Sequence, residues 1–260
     1  MKIKLLAATA ATLVASSAMA QSAFQGFYGQ LSTGYENNSA SGLSSPLTLM
    51  YGGKSSAVGS VSAPNQSFGG APLIGGLGYN FSVAPKWLIG VGADYSFLSQ
   101  QSSSYNYSLS DSDAPEGSSG DKITLSGAKI KASNRLNIFV ATGYEIDKDK
   151  LVYLKAGFSS VKGAVSAPTN ASTGGQTIDI SETGFSPSGQ SKTLNGYILG
   201  VGYKQIISGG FYAFAEGNYM NYGKQNFGKT TPGQYDSTLT TNTSSGLNTY
   251  QLLVGVGYRF

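Results

Sequence analysis

Along Phe27-Tyr28-Gly29-Gln30-Leu31-Ser32-Thr33-Gly34-Tyr35 the odd positions are apolar or aromatic, with one Gly and one Thr, while Tyr28, Gln30, Ser32 and Gly34 make a more polar face. A period of two predicts a β-strand with one greasy side. The same dyad returns over 73–81, with Leu73, Leu77, Tyr79 and Phe81 on one side. It returns again over 87–97, where Trp87, Ile89, Val91, Ala93, Tyr95 and Phe97 alternate with Gly90, Gly92, Asp94 and Ser96. Next, Leu136, Ile138, Val140, Thr142, Tyr144 and Ile146 alternate with Asn137, Phe139, Ala141, Gly143 and Glu145. The polar turn Asp147-Lys148-Asp149-Lys150 then leads into Val152, Leu154, Ala156 and Phe158. A third hairpin pairs Tyr197, Leu199, Val201 and Tyr203 with Phe211, Ala213, Ala215 and Tyr219 across Ser208-Gly209-Gly210, whose glycines permit positive φ. The last strand carries Tyr250, Leu252, Val254, Val256, Tyr258 and Phe260 on one face.

This pattern predicts eight strands, three short connections (one of about five residues containing Pro85) and four long ones at roughly 37–67, 99–127, 163–192 and 224–246. The long links are rich in Ser, Gly, Asn and Thr, too polar to bury a core, and predict mobile surface loops. After the first residues no stretch approaches the roughly 20 apolar residues of a membrane helix, so the chain can span a bilayer only as a closed barrel. An even strand number with alternating short and long links predicts an all-β fold: a transmembrane, eight-stranded, antiparallel up-and-down β-barrel with four long extracellular loops and three short periplasmic turns. A soluble β-sandwich would explain the alternation but neither the loop asymmetry nor the outward aromatics.

Composition agrees: 12% of residues are charged, about half the roughly 25% usual for soluble domains, and the 260 residues include 36 Gly, 17 Tyr and 12 Phe. With no Cys and no His the chain has neither a disulfide framework nor the commonest general base and metal ligand. Its start, Met1-Lys2-Ile3-Lys4 followed by the apolar run 5–15 and the small-x-small site Ala18-Met19-Ala20, reads as a signal peptide over 1–20. Cleavage after Ala20 leaves a barrel domain over 21–260, and Gln21 in place of Cys argues against lipid attachment. Losing Lys2 and Lys4 leaves 15 basic against 13 acidic residues, a net charge of +2. Nucleic acid is therefore not an implied partner.

Gly26-Phe27-Tyr28-Gly29 opens the first strand, Ala141-Thr142-Gly143-Tyr144 precedes a short turn, and Leu151-Val152-Tyr153-Leu154-Lys155-Ala156-Gly157 follows it. Gly200-Val201-Gly202-Tyr203, Phe214-Ala215-Glu216 and the closing Val254-Gly255-Val256-Gly257-Tyr258-Arg259-Phe260 complete an ordered set. In these motifs the chain resembles the eight-stranded outer-membrane β-barrels of Gram-negative bacteria, the group that includes the OmpA membrane domain, OmpX and the opacity-like proteins. The resemblance implies a location in the bacterial outer membrane, contact with its lipid and lipopolysaccharide, and delivery by periplasmic chaperones. It also implies a C-terminal signal, Tyr258 and Phe260, read by the barrel assembly machinery. No peptidoglycan-binding domain follows the barrel, so a tethering role is not implied.

Extending the alternation places Asp94, Glu145, Lys155, Lys204, Glu216 and Arg259 inside the barrel, three acids and three bases. They read either as compensating ion pairs that fill the lumen or as a narrow charged pore, and the balanced count favours the former. Tyr79, Phe81, Trp87, Tyr144, Tyr203, Phe211, Tyr258 and Phe260 fall near the short turns as an aromatic belt, with Tyr35, Tyr95, Phe97 and Tyr219 as the opposite one. Lys122, Lys129, Lys131 and Arg135 gather beyond the membrane band, as solvated strand or as contacts for lipopolysaccharide phosphates. Asp111, Asp113, Glu116 and Asp121 faintly suggest a calcium loop. Its Gly falls one position late and Lys122 stands where the closing Glu belongs, so no metal site is expected. The spacing of Gly217 to Lys224 is wrong for a P-loop, and no cofactor is implied.

Three function classes follow. The first is a structural scaffold presenting long loops for adhesion or surface contact. The second is a small passive diffusion channel, supported only by the inward charges. The third, a lipid-modifying membrane enzyme, is remote because no His is present to activate a nucleophile. The chain is therefore read as no enzyme.

Overall fold

In a computed structural model the described residues are 22–42, 44–51, 54–110, 123–173, 176–179, 189–232 and 237–260. The signal-peptide and cleavage positions, including Ala18 and Ala20, lie outside them, as do Asp111, Asp113, Glu116, Asp121 and Lys122. Strands follow in the order β1 (Gly26–Ser41), β2 (Ser44–Tyr51), β3 (Lys54–Ser62), β4 (Gln66–Gly70), β5 (Leu73–Ala84), β6 (Trp87–Ser96), β7 (Gln100–Gln101) and β8 (Tyr105–Ser110). Then come β9 (Ile123–Ala128), β10 (Ile130–Asp147), β11 (Lys150–Val165), β12 (Asn170–Thr173), β13 (Gln176–Asp179), β14 (Gln190–Ser208), β15 (Phe211–Pro232) and β16 (Ser237–Arg259).

Eight of these make a closed antiparallel ring, β1-β5-β6-β10-β11-β14-β15-β16, sealed where β16 returns to β1 with Tyr28 opposite Arg259 and Ser41 opposite Gly246. Closure removes the sheet edge that a bilayer would leave unsatisfied. The three short links are two-residue turns: Pro85-Lys86, Lys148-Asp149 and Gly209-Gly210. The first is tighter than the five residues expected, because β5 runs on to Ala84; Lys86 takes φ +67 there, and its carbonyl accepts the Glu145 amide.

Alternation sets the two surfaces of the wall. Phe27, Leu77, Leu154, Leu252 and Phe260 point outward at 60–78% exposure, which only a lipid solvent makes favourable. Inside, large rings face glycines on the neighbouring strand: Tyr153 lies opposite Gly202 and Tyr212 opposite Gly257. A Cβ at either glycine would run into the ring. Part of the high Gly content is thus a packing device for a narrow tube.

The long links depart from the mobile loops expected of them. Wall strands extend into them, β15 and β16 staying paired as far as Pro232 opposite Thr238. Beyond the ring, β16 pairs with β2, and the order continues β3-β8-β9-β12-β13, one sheet built from all four links. Their sequences alternate hydroxyl and apolar residues, as in ITLSGA over β9, which suits a pleated strand once a partner supplies the ladder. The same end buries a core that the polar composition concealed: Ala40, Phe68, Tyr105, Ala128, Ile130, Ala132, Val161, Leu194, Ile198, Met220, Tyr222 and Leu247.

Candidate functional site: the lumen and its two closures

The inward side chains form three strata. At the short-turn end, Phe24, Leu88, Leu151 and Tyr153 make a small apolar cluster. Phe24 comes from the segment preceding β1, and that segment is tied down: Asn80 Nδ2 donates to the Phe24 carbonyl at 2.9 Å, the Phe24 amide donates to Ser22 Oγ at 3.1 Å, and Ser22 Oγ donates to Glu145. The segment 22–25 is a stopper in the mouth of the ring.

Above it lies the first charged layer. Lys155, with a fully buried side chain, bridges Asp94 at 3.1 Å and Glu216 at 2.6 Å. Tyr153 Oη and Asn218 Nδ2 donate to the oxygens of Glu216 at 2.6 and 2.8 Å, and Asn137 Nδ2 donates to Asp94. Lys204 has no carboxylate within ion-pair distance among the described residues. Its ammonium instead sits 4.2 Å from the ring centre of Tyr28, 4.8 Å from that of Tyr212 and 5.2 Å from that of Tyr153, and donates to Gln30 at 3.3 Å. The rings' negative faces take the place of a counter-ion.

A second layer was not foreseen. Arg135 pairs with Glu36, both almost wholly buried. Its Nη2 donates to Asn38 at 2.8 Å and Thr249 at 3.2 Å, and its Nε to Tyr222 Oη at 2.9 Å. Gln251 joins the layers, accepting from Asn218 at 3.3 Å and donating to Glu36 at 2.7 Å. The large apolar cluster lies directly above, sharing Tyr222.

Of the six inward charges expected, Asp94, Lys155 and Glu216 meet, and Lys204 stands beside them. Glu145 and Arg259 do not join: they sit at the mouth, Glu145 with Ser22 and Arg259 Nη1 with the Gln25 carbonyl at 3.4 Å, because both lie within two residues of a strand end. The grouping of Arg135 with outward lysines is corrected, since its odd parity matches buried Asn137 and Phe139. Glu36 was missed because β1 continues past Tyr35, where the even residues still face inward. On the outer wall Phe81, Trp87, Tyr144, Phe211, Tyr258 and Phe260 are exposed and Tyr79 and Tyr203 half-buried; Trp87 packs on Tyr144 and Tyr258 on both Phe211 and Phe260. Tyr35, Tyr95 and Phe97 are exposed in the opposite belt, where Tyr219 touches Tyr197 and Tyr250.

A closed eight-strand ring with a polar inside, an apolar outside and two aromatic belts is a bilayer-spanning wall. The outer membrane protein beta-barrel domain family matches residues 6–260. The chain belongs to that family. This outer-membrane barrel therefore resides in the bacterial outer membrane. No curated protein matches its sequence. Among solved structures it is similar to Ail, the attachment invasion locus protein of Yersinia pestis, at 15% identity and TM-score 0.34 over 91% of this chain and 99% of that one. The outer membrane protease OmpT of Escherichia coli gives 10% identity and TM-score 0.47, covering 94% and 100% of the two chains. OprG of Pseudomonas aeruginosa gives 11% identity and TM-score 0.42, covering 92% and 99%. At such identities function does not transfer with the fold.

Proposed function

We propose that the barrel is a closed structural scaffold of the outer membrane that presents its sheet of long links for adhesion or surface contact. One observation carries this reading: among the described residues the lumen is filled at successive levels, by Phe24 and its cluster, by two charge layers and by the apolar cap, with a cavity of only about 20 Å³ left beside Tyr28, Tyr153, Lys204 and Glu216. Conduction would require an ion to displace buried salt bridges and to cross apolar closures at both ends, each step costing several kcal/mol. The reading includes the absence of catalysis, since the chain has no His and its buried carboxylates are engaged by cations and amides.

The test is conductance of the refolded mature chain, residues 21–260, in a planar bilayer. Silence is expected from protein whose folding is verified by its faster migration on unheated gels. Reproducible steps that change size on neutralising Lys155 or Glu216 would overturn the proposal in favour of a diffusion channel.

A further inference from the structure

Above the ring the long links fold into four hairpins: β2–β3, β8–β9, β12–β13 and the upper part of β15–β16. Three of the seams between neighbouring hairpins are laddered, β16 to β2, β3 to β8 and β9 to β12. The fourth, between β13 and β15, has no ladder among the described residues.

That seam starts at a bulge. β14 and β15 are paired up to Tyr197 opposite Asn221, where Gly196 lies so close to the Asn221 carbonyl that a Cβ would collide with it. Beyond this point the register of β15 shifts, Gly223 takes φ +63, and its amide donates to Asn221 Oδ1 at 3.0 Å. From there, among the described residues, 190–196 of β14 pairs only with β11, 224–232 of β15 only with β16, and β13 only with β12. Each leaves one row of backbone N–H and C=O groups outside any ladder, a template for a further strand.

The rows on either side define what strand would fit. Tyr105 is buried and its hydroxyl meets that of Tyr107 at 2.6 Å. Tyr107 is opposite Leu125, Leu125 opposite Ala171, and Ala171 opposite Ile178 of the β13 edge. The alternate row is hydroxylic, running through Ser62, Ser108, Thr124, Ser172 and Thr177, with Ser62 and Thr177 exposed. This tier is apolar inside and polar outside, the reverse of the wall in the bilayer and the pattern of a sheet in water. On the β15 edge Phe227, opposite Thr243, continues the inner row of Leu247 and Thr249. A strand that fills the seam must therefore alternate apolar and polar residues. The flanks carry Lys192, Lys224 and Lys229 against Asp179 among the described residues, so acidic side chains suit its polar positions. A second copy of this chain does not: joined edge to edge along β15, it would bring four lysines together.

We propose that the open seam between β13 and β15 binds an extended acidic segment of a partner protein, added as a strand whose main chain bonds to the 224–232 edge. The test places the mature chain in phosphatidylcholine nanodiscs and follows, by anisotropy, a fluorescent eight-residue peptide that alternates valine with glutamate and threonine. Saturable binding of one peptide per barrel is expected. A proline-interrupted peptide of the same charge should bind about tenfold more weakly, and Lys224→Gln/Lys229→Gln should weaken the original peptide about three- to tenfold. Lys86→Gln/Lys148→Gln/Lys150→Gln, at the opposite end, should bind as the native chain does, and edge amides of 224–232 that exchange rapidly in the free barrel should become protected. No binding, or equal binding of the proline peptide, would overturn the proposal. So would protection of the whole edge before peptide is added, which would mean that the seam is already filled, or self-association of barrels that the peptide reverses. Folding of each variant is checked by gel migration, and Lys224→Gln alone, expected to weaken binding about twofold, replaces the double variant if that fails to fold. The proposal rests on the surface-contact reading, but the two fail separately: a silent barrel that does not bind the peptide keeps the scaffold and loses only the seam.

Discussion

The two halves of the lumen solve one problem, charge sealed in a narrow tube, with different chemistry. The upper layer has one cation and one anion, and the flat guanidinium of Arg135 spreads its donors over Glu36, Asn38, Thr249 and Tyr222, which come from three strands. The lower layer has two cations and two anions, yet Lys155 takes both carboxylates and leaves Lys204 to aromatic rings. The contrast teaches that an ammonium, a compact point charge with rotatable donors, can be held by ring faces and a single amide. A guanidinium needs a fixed frame of acceptors.

The comparison breaks most sharply at the bridging cations. Replacing Lys155 by Met strands two buried carboxylates, and replacing Arg135 by Met strands one. Losses of about 3–5 kcal/mol are expected for each, larger for Lys155, in reversible urea unfolding from lipid vesicles. A loss below about 1 kcal/mol in either would show that its carboxylates are not held ionised, and the two layers would cease to be comparable. Lys204→Met sharpens the contrast: with no carboxylate left behind, a change within about 1 kcal/mol of either sign is expected, the lost cation–π contacts offsetting the relieved desolvation. A loss equal to that of Lys155→Met would mean that Lys204 acts as a counter-ion after all.

The smallest effect lies outside the lumen. At the turn, the amide of Lys148 and the ammonium of Lys150 hold the Asp147 carboxyl below its ordinary range. A lowered folded value means that its contribution is fully present above the ordinary carboxylate range and fades as pH falls through the folded value. Asp147→Asn should therefore lower stability slightly at neutral pH, leave it unchanged at the acid end, and so flatten the pH dependence of unfolding below about pH 4. Identical acid profiles for the two chains would refute that assignment.

Legibility in the sequence followed the bilayer. Where the wall is solvated by lipid, outward residues must be apolar, so the dyad is strong and assigns Asp94, Lys155, Lys204 and Glu216 to the inner face, where all four are buried. Above the upper belt the outward positions turn polar, as at Asn37 and Ser39, and the contrast between faces disappears. Glu36 was lost there. Arg135 was lost beside a bulge whose left-handed residue, Asn134, has no unambiguous signature. The sheet of the long links was illegible for another reason: its pairings join remote segments, β9 with β12 and β2 with β16, and only the folded ring brings them together.

The stopper at the lower mouth has a consequence for the order of assembly. Its holding groups, Asn80 and Glu145, sit on β5 and β10, which are apart in the chain and are brought to one end by the strand between them, β6. Phe24 therefore seats only once β1, β5, β6 and β10 stand side by side. A tag placed immediately before Ser22 would be carried against the inner rim of that mouth, so it reports on the joining of these strands by whether a protease can still reach the joint.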